Sequence, residues 1–179
     1  MYLLYSLSDL IFSGYTLTAI PLLLAYLLIK TKRPMLSKVM VWSNWILVVG
    51  SCVYLASTLI YIIILLDAGD KAAIYIDRLI GPYWFGFWGF VLLKGILPQV
   101  LWIKKFRNAI WIMPVMLPFI LVDDYSEFLI RLILNLNRDY LPSSWVLYPP
   151  KLSEFVFSTL IYSFILVVCY FIDRKKKTT

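Results

Sequence analysis

One lysine, Lys94, stands alone in a stretch from Pro82 to Ile103 that is otherwise uncharged. It precedes Lys104 by ten residues, roughly 15 Å along a helix. A charge at that depth in apolar surroundings is costly. It calls for a partner, a water path, or a stem that reaches back to a polar surface. The chemistry it offers is a gate or a proton relay; the plainer alternative is a snorkelling side chain. A second group lies further on. Asp123, Glu127 and Arg131 recur every four residues and share one helix face, with Asp124 about 100° around the axis. Carboxylates one turn apart repel when both are ionised, so one is expected to hold a proton while Arg131 pairs with Glu127. This cluster reads as a carboxylate relay, or as the solvated continuation of a helix that has left the apolar layer. A bound divalent cation is a weaker third use, because the ligand set is small.

These residues are set in five long apolar runs: Asp9–Lys30, Val39–Leu66, Pro82–Ile103, Asn108–Asn135 and Leu152–Ile172. Each is long enough to cross a hydrocarbon layer of about 30 Å as a helix. With 62% apolar residues, the chain has too little polar surface for water on all sides. The expected fold is an all-α membrane bundle of five spans, one domain over residues 1–179. Run one is too long for a signal-peptide core and no basic stretch precedes it, so it reads as a permanent span.

Histidine is absent, which excludes a bis-histidine haem and any His-ligated copper or di-iron centre. Cys52 and Cys169 are isolated within apolar runs, so no iron–sulfur cluster or attached haem is encoded. Both are expected to be buried small hydrophobes. No metal or covalent cofactor is expected.

The charges fix an expected orientation. Lys30, Lys32, Arg33 and Lys38 join runs one and two; Lys104, Lys105 and Arg107 join runs three and four; Arg174, Lys175, Lys176 and Lys177 follow run five. Only Asp173 among the acids joins them. The positive-inside rule places the N-terminus outside and the C-terminus in the cytoplasm, in a bacterial inner membrane crossed several times. The net charge of +7 is explained by this asymmetry and by anionic lipids, so nucleic acid is not expected as a partner.

Run one carries no charge between its bounding Asp9 and Lys30, and contains Pro21. Run two carries a string of small residues, Ser43, Gly50, Ser51, Cys52, Ala56 and Ser57, suited to close helix packing. Tyr83, Trp84 and Trp88 open run three as an aromatic belt at the outer interface, or as a wall for a lipid tail or quinone; Trp102 and Trp111 are the inner counterpart. Pro114 and Pro118 are expected to interrupt run four. The loop before run five, Arg138 to Pro150, is rich in proline and aromatic residues and reads as an ordered cap. Arg138, Asp139, Tyr140, Trp145 and Tyr148 are its candidate partner contacts.

Three strings carry a resemblance. They are Gly81-Pro82-Tyr83-Trp84, then Pro98-Gln99-Val100-Leu101-Trp102-Ile103-Lys104-Lys105-Phe106-Arg107, then Arg138-Asp139-Tyr140-Leu141-Pro142-Ser143-Ser144-Trp145. In this order they resemble the C-terminal half of the NrfD-like (polysulfide-reductase membrane-subunit) family, in particular the branch in alternative complex III. The likeness runs from about Gly81 to Tyr170. It implies quinol binding in a helical bundle, a proton route through a second bundle, and electrons passed to iron–sulfur or haem subunits. Where the family carries an adjacent Glu–Arg pair, this chain has Glu127 followed by Phe128. Asn137 stands at a position that is often His, and Lys94 where a small or amide side chain is usual.

The expected function is that of a membrane subunit of a respiratory-type quinol oxidoreductase, contributing quinone positioning or proton handling and not an enzyme alone. Its partners would be lipids, other subunits and quinone. In that setting Lys94, Asp123, Asp124, Glu127 and Arg131 would face a quinone headgroup or a proton. One rival reading is a structural or coupling subunit of a respiratory, secretion or motility assembly. Another is a small transporter or channel using the same charged residues, although no inverted repeat is visible.

Overall fold

The computed structural model describes residues 2–67, 79–81, 84–121 and 152–175. Among these the chain is helical, with no strand. Helix α1 spans Tyr2–Leu28 and α2 spans Arg33–Asp67. A third run comprises α3 (Trp84–Phe90), a wide π-helical segment Val91–Ile96 and a tight 3-10 segment Leu97–Trp102. The short α4 (Lys104–Arg107) and α5 (Ile112–Leu121) follow, and α6 spans Leu152–Lys175.

Three of these helices, α1, α2 and α6, are long and apolar enough to cross a membrane. Several hydroxyls within them are satisfied locally, whereas the buried Tyr15 hydroxyl has no hydrogen-bond partner among the described residues. The hydroxyls of Ser8, Thr16, Ser51 and Ser57 each donate to the carbonyl three residues back, and Thr18 donates to Gly14 at 2.8 Å. In an apolar surrounding this removes the cost of a hydroxyl with no partner.

Contacts fix the order in which the helices pass each other. Ile11 of α1 meets Gly50 of α2, whereas Arg33 at the start of α2 donates to the Tyr26 carbonyl near the end of α1. The two helices are therefore antiparallel. The third run is antiparallel to α2: Gly95 meets Leu55, Gln99 meets Ser51, and Trp102 meets Trp45. Tyr162 of α6 packs on Gly14 and Tyr15 and bonds to Ser43, while Asp173 shares a cavity with Lys38. So α6 runs with α1 and against α2. The core lies where these helices meet, with Phe12, Tyr15, Leu47, Leu101, Met113 and Tyr162 fully enclosed.

This arrangement gathers the beginning of α2, the Lys104–Asn108 turn and the end of α6 at one end of the bundle. The basic joints Lys30–Lys38 and Lys104–Arg107 come together there with the end of α6; Lys176 and Lys177 lie outside the described residues.

The structure corrects several expectations. Helix α1 begins at Tyr2, not Asp9, which puts Asp9 two turns inside a helix and gives run one an internal charge. The third run is not a regular helix. Pro98 has no N–H, and its ring conflicts with the carbonyl four residues earlier, at Lys94. Widening to a π turn before the proline and tightening to 3-10 after it accommodates both constraints. Run four starts with a turn at Asn108–Trp111, and its helix continues through both Pro114 and Pro118 to Leu121. Pro114 falls in the first turn, where a missing N–H does least harm. Cys52 is exposed on the bundle surface and Cys169 half-buried, neither enclosed as expected. The small residues of α2 do serve packing: Gly50 and Ser43 admit Ile11 and Tyr162 at close range.

Candidate functional site

The irregular third run places Lys94 in its π segment, where the ring of residues is wider and the backbone rotates relative to an α-helix. Its side chain is only 4% exposed. Gly95, next to it, lets α2 approach so closely that a Cβ there would overlap the end of the Leu55 side chain and touch Tyr54. Lys94 is therefore held against α1 and α2.

The partner of Lys94 is Asp9. The Lys94 Nζ lies 3.9 Å from Asp9 Oδ1, and 5.2 Å from the centre of the Phe12 ring one turn further along α1. Phe12 in turn meets Tyr54 edge-on at 6.0 Å, and Tyr5 tilts against Tyr54 at 6.3 Å. Lys94 thus faces a carboxylate and an aromatic face within a mostly apolar wall, an arrangement that stabilises an ammonium removed from water. The Asp9 side chain keeps 41% of its surface exposed. One charge of the pair is enclosed and the other opens to the outside of the bundle.

One turn beyond, Gln99 forms a polar node. Its Nε2 donates to Ser51 Oγ at 2.7 Å and to the Gly95 carbonyl at 3.2 Å, and its Oε1 accepts from Trp102 Nε1 at 2.7 Å. The Gly95 carbonyl it binds lies where the wide turns give way to the tight ones. At the basic end, Arg107 stacks on Trp45 at 4.2 Å and donates to the Trp102 carbonyl at 3.3 Å. Asn44 donates to the Arg107 carbonyl at 2.9 Å. The strings around Pro98–Arg107 therefore act as the clamp that fixes the third run to α2.

Trp84 and Trp88 are exposed on the bundle surface, and the Trp88 indole donates to the Leu79 carbonyl at 3.0 Å. That placement suits a belt at a lipid interface. Trp102 and Trp111 are likewise exposed. Tyr83, Asp123, Asp124, Glu127, Arg131, Arg138, Asp139, Tyr140, Trp145 and Tyr148 lie outside the described residues. Among the described residues no group of three or more potential metal ligands occurs.

Asp9 and Gln99 are the site residues that sequence reasoning passed over. By hydropathy Asp9 is the boundary of a run. The signal that would have found it is the apolar Tyr2–Leu7 segment in front, which extends the helix outward past the carboxylate.

No protein-family model matches this chain, and a search of curated proteins gives no match.

Proposed function

We propose that this chain is a membrane subunit of a respiratory-type quinol oxidoreductase in a bacterial inner membrane, similar to the NrfD-like subunits and contributing proton handling or quinone positioning. In this reading all five runs cross the bilayer, with the N-terminus outside and the basic end in the cytoplasm. The resemblance in the Pro98–Arg107 and Arg138–Trp145 strings supports it. The observation that carries it is the Lys94–Asp9 pair, an enclosed ammonium beside a carboxylate that opens outward.

Such a pair suits proton transfer. In a low-dielectric wall, an ion pair and its neutral form, amine beside carboxylic acid, are closer in energy than in water. Moving one proton from Lys94 Nζ to Asp9 Oδ1 interconverts them. A small approach or one bridging water closes the 3.9 Å gap. Asp9 then exchanges its proton on the exposed side. Electrons would leave through partner subunits, since this chain supplies positioning and protons only.

The test is proton-coupled quinol oxidation by the purified assembly in vesicles. Asp9→Asn and Lys94→Met should assemble at reduced yield and lose proton movement per electron transferred. If both variants assemble and keep wild-type proton stoichiometry, the pair is architectural and the proton-handling role fails. A wild-type chain that purifies as a free monomer would remove the subunit reading itself.

A further inference from the structure

At the basic end of the bundle lies a partly open cavity of about 320 Å³. Ser37, Lys38, Trp42, Trp45, Asn108 and Asp173 are among the residues that line it. Three separate parts of the chain meet there: the first turns of α2, the turn after α4, and the last turn of α6. None of these residues belongs to the Lys94–Asp9 site.

The lining has a particular charge balance. Among the described lining residues there is one cation, Lys38, and one anion, Asp173, and no ion pair joins the two. Ser37 and Asn108 add polar groups that can donate, and Trp42 and Trp45 add aromatic walls. A purely anionic ligand would meet Lys38 favourably but would also face the Asp173 carboxylate. A simple cation would meet the reverse conflict. A molecule carrying both charges a few bonds apart satisfies both.

We infer that this cavity binds the phosphoethanolamine headgroup of a membrane phospholipid. The phosphate is held by the Lys38 ammonium with the Ser37 hydroxyl and Asn108 amide. The primary ammonium donates to Asp173 and lies against the tryptophan walls. Lipid is the source because of what surrounds the cavity. Its lining residue Asp173 ends an apolar helix, and the preceding Val168, Phe171 and Ile172 are exposed, a surface fit for acyl chains. Trp102 and Trp111, also exposed, border the same end of the bundle, as indoles do at headgroup level. Phosphatidylcholine carries the same charges, but its quaternary ammonium has no N–H to give Asp173. The site therefore discriminates between the two zwitterions. This inference needs the chain to be in a membrane; it does not depend on the quinol reading.

The experiment uses the wild-type protein, as purified, in nanodiscs of equal phosphatidylethanolamine, phosphatidylcholine and phosphatidylglycerol, with retained lipid measured by native mass spectrometry. Wild type should keep phosphatidylethanolamine over the other two by about tenfold, the scale of one charge-assisted hydrogen bond. Asp173→Asn, at a helix end, should fold normally and shift the preference to phosphatidylglycerol. Lys38→Met should lose retention of all three. Equal retention by wild type, preference for phosphatidylglycerol, or an unchanged profile in Asp173→Asn would overturn the site. Soluble O-phosphoethanolamine binding as tightly as phosphatidylethanolamine, so that the acyl chains add nothing, would overturn the assignment to lipid.

Discussion

Lys94 and Asp9 come from different helices and meet at 3.9 Å, with the lysine enclosed and the aspartate half-open. Neither residue alone explains the other's tolerance in an apolar bundle. An ammonium in this position is stable because α1 begins early enough to bring a carboxylate to its depth. The outward face of Asp9 leaves one member of the pair open to the outside of the bundle.

The pair should behave asymmetrically on mutation. Asp9→Asn removes the carboxylate charge beside a buried ammonium, and should cost on the order of 1–3 kcal/mol of stability. Lys94→Met replaces the lysine by an apolar group of similar length and should cost less, because Asp9 can still reach its exposed side. The double variant should be more stable than Asp9→Asn alone. Unfolding in mild detergent, followed by loss of helical signal, checks the order. A double variant less stable than either single change would show that the charges do not act as a pair.

Glycines at the helix crossings give a sharper packing test. A Cβ at Gly14 would overlap the base of the Tyr162 side chain, which cannot swing away without moving α6. Gly14→Ala should therefore destabilise by roughly 1–3 kcal/mol, the usual cost of overpacking. Gly89 has open space around its Cβ position, so Gly89→Ala should be neutral or slightly stabilising. Thermal unfolding of the two variants, measured side by side, distinguishes them. Equal losses would mean that α1 and α6 do not pack in this register.

Tyr162 offers a second measure of the same joint. Its hydroxyl lies 2.7 Å from Ser43 Oγ and also donates to the Ser43 carbonyl at 3.2 Å. A double-mutant cycle with Tyr162→Phe and Ser43→Ala should give a coupling of about 0.6–1.7 kcal/mol, the range for hydrogen bonds between membrane helices. A coupling near zero would place Tyr162 and Ser43 apart in the folded protein.

The helical class and the gathering of basic joints at one end were legible in the sequence. Long apolar runs and charge clusters are properties of composition, and composition survives without knowledge of contacts. The enclosure of Lys94 was legible only as a problem, a charge ten residues from the nearest basic joint. Its solution was not, because Asp9 lies at the edge of a run by hydropathy and inside a helix by hydrogen bonding. The break in the third run was not among the expectations, and its form, a wide turn followed by a tight one around Pro98, is not visible in the apolar pattern. Gly95, which meets Leu55 of α2, and Gln99, which donates to the Gly95 carbonyl, lie on either side of it. Cys52 misled because an apolar run in lipid need not be buried in protein. The hydrophobic signal is the same on both faces when the solvent is hydrocarbon.

Orientation follows from the basic end and can be read directly. In a chain with Cys52 and Cys169 replaced by serine or alanine, single cysteines are introduced at Thr31 and at Lys105. Both positions are exposed at the basic end of the bundle. A third is introduced at Ser6, exposed near the start of α1 at the opposite end. Intact spheroplasts are treated with a membrane-impermeant maleimide. Ser6→Cys should label without permeabilisation, whereas Thr31→Cys and Lys105→Cys should label only after the membrane is opened. The reason is the excess of lysine and arginine that must stay on the cytoplasmic side. Labelling of Thr31→Cys from outside would reverse the orientation. The half-open face of Asp9 would then look toward the cytoplasm, and any proton reaching Lys94 would enter from that side.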